Sequence, residues 1–323
     1  MNTATSGSTI LAVAPNPALD RVALAEGASR GGLVRAAEYL DTPGGKGTHV
    51  ALVAAGLGQS AVLLAPLGGS RGKLVAELLA TAPVELVPIA IDAETRGTYT
   101  VVDPAVKSAV LEVIEPSPAL MPAEALALAD ELERRAALAS VIVGSGSLPG
   151  GLSNDFYSQV VRAGRRRGAT TIIDASGAAL RAVLMSEPDV VAPNLDEAGE
   201  LLETEIPADG SHEELAATAS AIRRLGAGSV LLTLGARGSF LLTSDDEGWL
   251  LGGHAAKTVN DVGCGDALIG GLAAGLAQGM SLIEAAAMGT AAAIDKIAHL
   301  HPGFVDNQRV RATLSDVSRE RVA

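Results

Sequence analysis

The chain has 323 residues, of which 48% are hydrophobic and only 2% aromatic, and its net charge is −13. A mean hydropathy of +0.32 excludes an intrinsically disordered chain and predicts a large aliphatic core. The negative charge argues against nucleic acid as a partner, but not against a small anion, which needs only a local cluster of donors. This length predicts one large domain with an appendage, or two domains.

The expected location follows from the cysteine count and from the apolar runs. A single cysteine, Cys264, excludes a disulfide within the chain and fits a reducing compartment. Residues 1–10 have neither the basic segment nor the long apolar run of a signal peptide. Apolar runs such as 268–276 contain glycine and are too short to span a membrane. We therefore expect a cytoplasmic protein without membrane contact.

Short apolar runs rich in β-branched residues alternate with helical patterns along most of the chain. Continuous apolar runs of this kind are typical of parallel strands covered on both faces. The helical patterns begin with acidic residues and end with arginine, as the helix dipole favours. The strands are predicted at 8–14, 140–146, 169–176, 189–194 and 229–235, and the clearest helices at 122–138 and 212–227. The alternation predicts an α/β fold with an open, mostly parallel sheet.

Two segments, 19–41 and 94–113, do not follow this alternation. They contain strand-like pieces with no helical pattern between them. Antiparallel strands outside the main sheet would form a small second layer, such as a β lid. The segments 1–18, 42–93 and 114–323 would then make up the major domain.

The stretch VGCGD places two glycines, the only cysteine and an aspartate at the start of an apolar helix. Backbone N–H groups at a helix N-terminus attract anions, and glycine lets the anion approach closely. Gly263, Cys264 and Gly265 are therefore candidates for a phosphate cradle, and Asp266 for a base that deprotonates an attacking alcohol. The alternative is a turn shaped by the glycines, with Asp266 capping the helix.

Other glycine-rich or polar turns lie beside predicted strand and helix ends. GGKG includes Gly44, Gly45 and Lys46 before an alanine-rich helix, without the spacing of a P-loop. By itself the motif favours a tight turn with a solvated lysine over an anion site. The segment 233–242 reads as a hairpin, and Asp20 follows the first strand. Together these turns lie where an open α/β sheet forms its ligand crevice.

The order of the motifs NPALD, GGKG, TR, GSLPGG, PNLDE, TLGARG and VGCGD resembles that of the PfkB carbohydrate kinases. The resemblance extends from about residue 10 to about residue 297, and is greatest to the branch of 1-phosphofructokinases and tagatose-6-phosphate kinases. It implies the ribokinase-like fold, with three αβα layers and a small β lid.

The resemblance also implies roles for individual residues on the acceptor side. Asp266 matches the catalytic base, and the N–H groups of Gly263, Cys264 and Gly265 match an anion hole for the transferred phosphoryl group. The residues that match the sugar site are Asp20, Gly44, Gly45, Lys46 and the lid residue Arg96. Of these, Lys46 and Arg96 are expected to meet the phosphate of a phosphosugar.

On the donor side the resemblance implies ATP and Mg²⁺ as cofactors. Asn194 and Glu197 match a pair that organises Mg²⁺ through water, with Glu197 as the water-mediated ligand. Thr233, Gly235 and Gly238 match the nucleotide loop. The lid of relatives often pairs with a second subunit, so a homodimer is expected.

The chain departs from the family pattern at four places. His49 stands where asparagine is usual, Thr98 replaces another asparagine, Ala192 replaces a common lysine, and Asn260-Asp261 precedes VGCGD. These changes affect the expected sugar pocket, and Asn260 weakens the case for a bound monovalent cation.

Two of the motif residues each leave two interpretations open. His49 is either a polar residue bonded to the backbone or a contact to a sugar hydroxyl or phosphate, and we favour the contact. Cys264 is either a reactive thiol, its pKa lowered by the helix N-terminus, or an inert small residue beneath the loop.

The expected function is Mg²⁺- and ATP-dependent phosphorylation of a ketohexose phosphate. Fructose 1-phosphate is the first candidate, followed by tagatose 6-phosphate and fructose 6-phosphate. The alternatives are a kinase for an unphosphorylated sugar or nucleoside, a non-catalytic sensor, and a nicotinamide-dependent oxidoreductase. The lack of an early G-x-G-x-x-G argues against the last of these.

Overall fold

The computed structural model describes residues 8–29, 31–106 and 108–322. Residues 1–7 lie outside the described residues, so the expectation that no signal peptide is present is not examined by the structure. No helix in the described ranges has the length and apolar character needed to cross a bilayer.

Fourteen strands and ten α-helices make up the described part of the chain. The strands are β1 (Thr9–Val13), β2 (Ala18–Leu24), β3 (Glu38–Gly44), β4 (Ser60–Leu67), β5 (Val84–Ala90), β6 (Arg96–Asp103), β7 (Ser108–Ile114), β8 (Val141–Ser145), β9 (Thr170–Asp174), β10 (Val190–Val191), β11 (Ser229–Thr233), β12 (Ser239–Leu242), β13 (Gly248–Gly252) and β14 (Ser318–Arg321). The helices are α1 (Lys46–Gly56), α2 (Gly69–Leu79), α3 (Pro122–Ala136), α4 (Phe156–Arg167), α5 (Gly177–Leu184), α6 (Leu195–Leu202), α7 (His212–Arg224), α8 (Cys264–Ala277), α9 (Leu282–Lys296) and α10 (Asn307–Leu314).

The main sheet has ten strands in the order β14-β13-β12-β11-β10-β9-β8-β1-β4-β5. The seven strands from β11 to β5 are parallel, and β12, β13 and β14 add an antiparallel edge. All five strands predicted from sequence lie in the parallel part, although β10 has only two residues. The predicted hairpin after β11 is present, with a short 3-10 helix, Gly235–Arg237, in its turn.

The core consists of two hydrophobic layers, one on each face of the main sheet. Alternate residues of β1 enter different layers: Ile10 and Ala12 face α1, α8 and α9, whereas Leu11 and Val13 face α3, α4 and α5. A strand that is buried on both faces must be apolar throughout, which explains its continuous hydrophobic sequence. The helix–sheet–helix layering confirms the predicted α/β fold with three layers and a mostly parallel central sheet.

Helix boundaries follow from capping residues in the sequence. Ser211 accepts a hydrogen bond from the backbone N–H of Glu214, whose side chain in turn accepts one from the backbone N–H of Ser211. This capping box starts α7. The helix ends at Arg224, two residues before Gly226, where the predicted range of 212–227 includes a glycine that favours termination.

A separate four-stranded sheet has the order β3-β2-β6-β7. The strands β2 and β3 reach to Ala18 and Gly44, slightly beyond the predicted segment 19–41, and β7 ends one residue after the segment 94–113. The last residues of β3 continue directly into the turn before α1. The division into a major domain and a lid stays a prediction, which this second sheet supports.

Candidate active site

A cavity of about 560 Å³ lies beyond the carboxyl ends of the parallel strands. The chain leaves β1, β8, β9, β10 and β11 at this edge of the sheet, and the N-termini of α1, α6 and α8 point toward it. Twelve of the fifteen predicted site residues line this one cavity: Asp20, Gly45, Lys46, His49, Arg96, Asn194, Glu197, Thr233, Gly263, Cys264, Gly265 and Asp266. Gly44, Gly235 and Gly238 do not line it.

The turn before α8 has the geometry that its glycines suggested. Gly263 precedes the helix with φ +85°, and a Cβ there would lie 2.8 Å from the carbonyl oxygen of Pro302. The position therefore requires glycine both for its backbone conformation and for space. A Cβ at Gly265, in contrast, would meet no atom within 4 Å. The N-terminus of α8 thus opens onto the cavity, where backbone N–H groups can receive an anion.

His49 lies between the two carboxylates that the sequence assigns to the sugar and to the base. Its Nδ1 is 2.7 Å from Oδ2 of Asp266, as a hydrogen bond, and its Nε2 is 3.0 Å from Oδ2 of Asp20. The second contact is at ion-pair distance but without hydrogen-bond alignment. His49 is 4% exposed. Asp20, His49 and Asp266 therefore form a continuous chain of charges.

The charge state of His49 follows from these neighbours. Burial alone would lower the pKa of His49, but Asp20 and Asp266 outweigh it and raise the pKa to about 9. His49 is therefore an imidazolium at neutral pH, with both ring nitrogens directed at carboxylates. This arrangement differs from both interpretations of His49 reached from sequence. The ring nitrogens face neither the backbone nor a free position for a sugar hydroxyl, but the carboxylates of Asp20 and Asp266.

Asp20 lies in the wall of the cavity on β2, next to Thr98 of the neighbouring strand β6. It accepts a hydrogen bond from the hydroxyl of Thr98, and burial, which raises its pKa, is outweighed by His49, so the pKa of Asp20 is lowered. A Cβ at Gly44 would overlap the Asp20 carboxylate. Gly44 therefore serves the site by leaving room for Asp20, although it does not line the cavity.

Arg96 projects from the first residue of β6. Its Nη2 donates a hydrogen bond of 3.2 Å to the carbonyl oxygen of Asn16, whereas its buried Nε has no hydrogen-bond partner within the described residues. Burial lowers the pKa of Arg96, with Asp20 and Glu112 acting in the opposite direction. A buried guanidinium donor without an acceptor is costly, and a phosphate oxygen would satisfy it.

Lys46 lies in the cavity next to two carboxylates. Its Nζ lies 3.3 Å from Oδ1 of Asp174 and 3.4 Å from Oε1 of Glu197. The charge of Asp174 raises the pKa of Lys46 and so keeps it protonated. Lys46 therefore pairs with two carboxylates in this structure. The resemblance had suggested a contact with the phosphate of a phosphosugar instead.

Asn194 and Glu197 form the capping box of α6. The Asn194 side chain accepts from the N–H of Glu197 at 2.8 Å, and the N–H of Asn194 donates to Oε2 of Glu197 at 2.9 Å. No three His, Cys, Asp or Glu residues converge as a direct metal site within the described ranges. Because Mg²⁺ usually keeps several waters and takes phosphate oxygens as ligands, the carboxylate of Glu197 fits the water-mediated role.

The predicted nucleotide loop, residues 233–238, lies only partly in the cavity. Thr233, at the end of β11, lines it, whereas Gly235 and Gly238 shape the turn that follows. Gly238 has φ +89°, and a Cβ there would lie against the backbone of Leu251. These glycines therefore determine the path of the loop.

Cys264 is the first residue of α8 and lines the cavity. Burial raises the pKa of its thiol to about 11, although Lys296 acts in the opposite direction. Of the two interpretations left open by the sequence, this raised pKa favours the inert thiol, because burial disfavours the thiolate.

The structure adds residues that the site prediction omitted. Asp174 ends β9, and burial raises its pKa although Lys46 opposes the shift. Asn16 donates from its amide to Ser117 at 2.7 Å and to Ser147 at 2.8 Å, and Glu112 enters from the lid. The position of Asp174 at the end of a predicted strand was a signal that could have identified it. Nothing local in the sequence singles out Glu112.

Comparison with known proteins identifies the family. The profile described as "pfkB family carbohydrate kinase" matches residues 16–301. The chain belongs to this family and is a carbohydrate kinase. It is 33% identical over 291 residues to the ATP-dependent 6-phosphofructokinase isozyme 2 of Mycobacterium tuberculosis, covering 88% of this chain and 82% of the relative. It is 31% identical over 244 residues to the tagatose-6-phosphate kinase of Staphylococcus epidermidis, and the match covers 75% of this chain and 77% of the relative.

Solved structures agree with this assignment. The phosphofructokinase-2 of Escherichia coli, in complex with substrates and products, is similar with a TM-score of 0.85 and 27% identity, covering 95% of this chain and 98% of the other. A possible 1-phosphofructokinase of Thermotoga maritima has a TM-score of 0.86 at 22% identity, and the match covers 98% of this chain and 100% of the other. At this identity the likeness shows the ribokinase-like fold alone. The resemblance expected from the sequence motifs is thereby confirmed.

Proposed function

We propose that this protein transfers the terminal phosphoryl group of MgATP to a hydroxyl of a ketohexose monophosphate. The observation that carries the proposal is the convergence of four features on one cavity. These are the Asp266 carboxylate, the open N-terminus of α8, the Asp20 carboxylate, and the unpaired Nε of Arg96. Phosphoryl transfer to a phosphosugar needs a base and a site for the transferred phosphoryl group. It also needs a group that accepts hydrogen bonds from the sugar hydroxyls and a site for the phosphate of the sugar.

The reaction assigns each side chain a distinct task. Asp20 accepts hydrogen bonds from sugar hydroxyls and so orients the acceptor. His49 holds Oδ2 of Asp266, which leaves Oδ1 to take the proton from the attacking hydroxyl. The backbone N–H groups of Gly263 and Gly265 receive the equatorial oxygens of the transferred group, where negative charge is spread in the transition state. The N–H of Cys264 donates to the carbonyl oxygen of Asp261 at 3.3 Å and would have to turn from it to take part.

The donor side relies on groups that this chain positions for MgATP. When bound, Mg²⁺ neutralises charge on the phosphates and holds them in line with the acceptor. Glu197 and Asn194 lie at the start of α6, where their capping box fixes both side chains. Lys46 links Glu197 to Asp174 and places a positive charge between the two carboxylates.

Ketohexose 6-phosphates are the first candidates for the acceptor. Two relatives at or above 31% identity carry the names of kinases for fructose 6-phosphate and tagatose 6-phosphate. Fructose 1-phosphate, which the sequence motifs favour, is the alternative within the same reaction class. In either case Arg96 meets the phosphate already present on the sugar.

The proposal is tested by ADP release from MgATP over a panel of acceptors. The panel contains fructose 6-phosphate, tagatose 6-phosphate, fructose 1-phosphate, fructose, ribose and adenosine. Turnover on a ketohexose phosphate at least ten times better than on any unphosphorylated acceptor would support it. Turnover only on a free sugar or nucleoside would contradict the acceptor class. ATP binding without turnover on any acceptor would favour a sensor.

A second copy of the chain is the proposed partner of the lid sheet. The lid carries exposed apolar side chains at Tyr39, Tyr99, Leu111, Val113 and Ile114. Apolar residues grouped on one exposed sheet often mark a protein interface. A monomeric mass by light scattering at micromolar concentration would contradict this homodimer, and charged substitutions at Leu111 and Val113 should convert a dimer to monomers.

A further inference from the structure

A buried lysine lies directly behind the anion site. Lys296 is the last residue of α9 and is 0% exposed. Its ammonium donates a hydrogen bond of 2.7 Å to the carbonyl oxygen of Asn260, in the loop that leads to Gly263. Lysine is almost never fully buried without a specific partner, because removing an ammonium from water is costly.

The loop around Asn260 is fastened to the end of α9 by several hydrogen bonds. The N–H groups of Val259 and Asn260 both donate to the carbonyl oxygen of Ile297, at 2.7 and 3.2 Å. The Asn260 amide donates to the carbonyl oxygen of Leu300 at 2.9 Å, and its oxygen accepts from the N–H of Val262. These contacts use the N–H group and the side chain of Asn260, and the Lys296 ammonium is the partner of its carbonyl oxygen.

The cavity has an excess of negative charge that a phosphate ligand would increase. Six carboxylates line it, against three cationic side chains. The carboxylates are Asp20, Glu112, Asp174, Glu197, Asp261 and Asp266, and the cations are Lys46, His49 and Arg96. Two of these cations, Lys46 and His49, are already paired with carboxylates. Beside Arg96 and the Mg²⁺ that would accompany ATP, further positive charge near the start of α8 would favour anion binding.

Lys296 has the position and the protonation state to supply it. Burial lowers the pKa of this ammonium to about 8, while acidic groups of the loop act in the opposite direction. The ammonium is thus mainly charged at neutral pH. It interacts electrostatically with Cys264, the first residue of α8, whose N–H donates to the carbonyl oxygen of Asp261 at 3.3 Å.

We propose that Lys296 is a built-in monovalent cation, which orders the loop 260–263 and adds positive charge behind the anion site at the start of α8. It is a positioning residue, since it acts through the loop carbonyl and through the field at the helix N-terminus. The inference rests on the proposed kinase reaction. It predicts that the native enzyme needs no added monovalent cation.

The test replaces the ammonium and then returns a cation from solution. Lys296→Ala removes the charge and opens space beside the Asn260 carbonyl, and Lys296→Met removes the charge while filling the space. Lys73→Ala, at an exposed lysine remote from the cavity, is the control. Each protein is assayed in tetramethylammonium chloride, and again with potassium, ammonium or methylammonium chloride at equal ionic strength.

We expect Lys296→Ala to lose roughly 10- to 100-fold in kcat, the range for loss of an electrostatic contribution at an anion site. Potassium, ammonium or methylammonium should restore at least a fifth of the native rate in this variant. The native enzyme and Lys73→Ala should respond less than two-fold to the same salts. Lys296→Met should stay slow in every salt, with a melting temperature equal to or above the native value, because a buried charge has been removed.

Two outcomes would overturn the inference. One is native activity that depends on added potassium. The other is loss of activity in both variants with lower melting temperatures and no rescue, which would indicate a purely structural lysine. Calorimetric binding of a non-hydrolysable MgATP analogue, with the same variants and salts, separates this inference from the acceptor assignment. Weaker binding by Lys296→Ala that potassium restores supports the inference even where no acceptor turns over, and equal binding by all proteins contradicts it.

Discussion

His49 donates through Nδ1 to Oδ2 of Asp266 over 2.7 Å, although the two residues are 217 positions apart in the chain. The same imidazole reaches Asp20 over 3.0 Å through Nε2. The side chain that orients the acceptor and the side chain that deprotonates it are therefore connected by one ring. A change at His49 must affect both groups, which makes it the most informative position in the cavity.

We predict that His49→Asn lowers kcat/KM roughly 10- to 100-fold, because a hydrogen bond to a charged group contributes about 1.5–3 kcal/mol. The loss should appear on every acceptor, since the ring acts through both carboxylates. His212→Asn, at the start of α7 and outside the cavity, is the matched control. Unchanged kinetics across the acceptor panel would show that His49 has no part in the reaction.

The raised pKa of His49 also predicts a pH-dependent stability. Its folded pKa of about 9 is above the usual value of 6.5, so its ion pairs stabilise the fold fully below about pH 6.5. That contribution is lost as the pH rises through about 9. The difference in unfolding free energy between the native protein and His49→Asn should therefore shrink between pH 6 and pH 10 in denaturant titrations. A constant difference would mean that His49 is neutral throughout.

Arg96→Gln should separate phosphosugar binding from catalysis. The variant keeps a polar side chain but removes the guanidinium charge, so KM for the phosphosugar should rise roughly 10- to 100-fold, as expected for a lost charged hydrogen bond. KM for ATP should change less than two-fold. Arg134→Gln, on the exposed surface of α3, controls for charge alone. An equal effect on unphosphorylated acceptors would contradict a phosphate contact.

The two glycines around Cys264 should respond differently to alanine. Gly263→Ala should lower stability by about 1–3 kcal/mol, because the backbone has φ +85° and a Cβ would meet Pro302. Gly265→Ala should leave the melting temperature almost unchanged, since its Cβ meets open space, yet reduce kcat by narrowing the anion site. Thermal denaturation and steady-state rates distinguish the two. Full activity in Gly265→Ala would argue against an anion at this helix start.

Local sequence was enough to predict much of the fold and part of the site. The continuous apolar strands and the capping residues of α7 are local signals, and Gly45 and Gly263 have positive φ angles that favour glycine at their own positions. These features depend on neighbours in sequence, so they can be recognised without a structure.

Other features depend on residues far apart in the chain and were not predictable. Lys46 meets Asp174 across 128 positions, and the sequence indicates neither partner for the other. The burial of Lys296 depends on the packing of α9 against the loop before α8. The raised pKa of Cys264 likewise results from burial, so the choice between its two interpretations needed the structure.

The central claim is that Asp266 is the base for phosphoryl transfer within an otherwise intact binding site. The most direct test is the single-turnover rate of Asp266→Asn with MgATP and the best ketohexose phosphate, beside Asp130→Asn, an exposed control on α3. We predict a rate lower by roughly 10²- to 10⁴-fold, the usual contribution of a positioned base, with calorimetric affinities for both substrates within a few-fold of native. A rate within three-fold of the native enzyme would contradict the account.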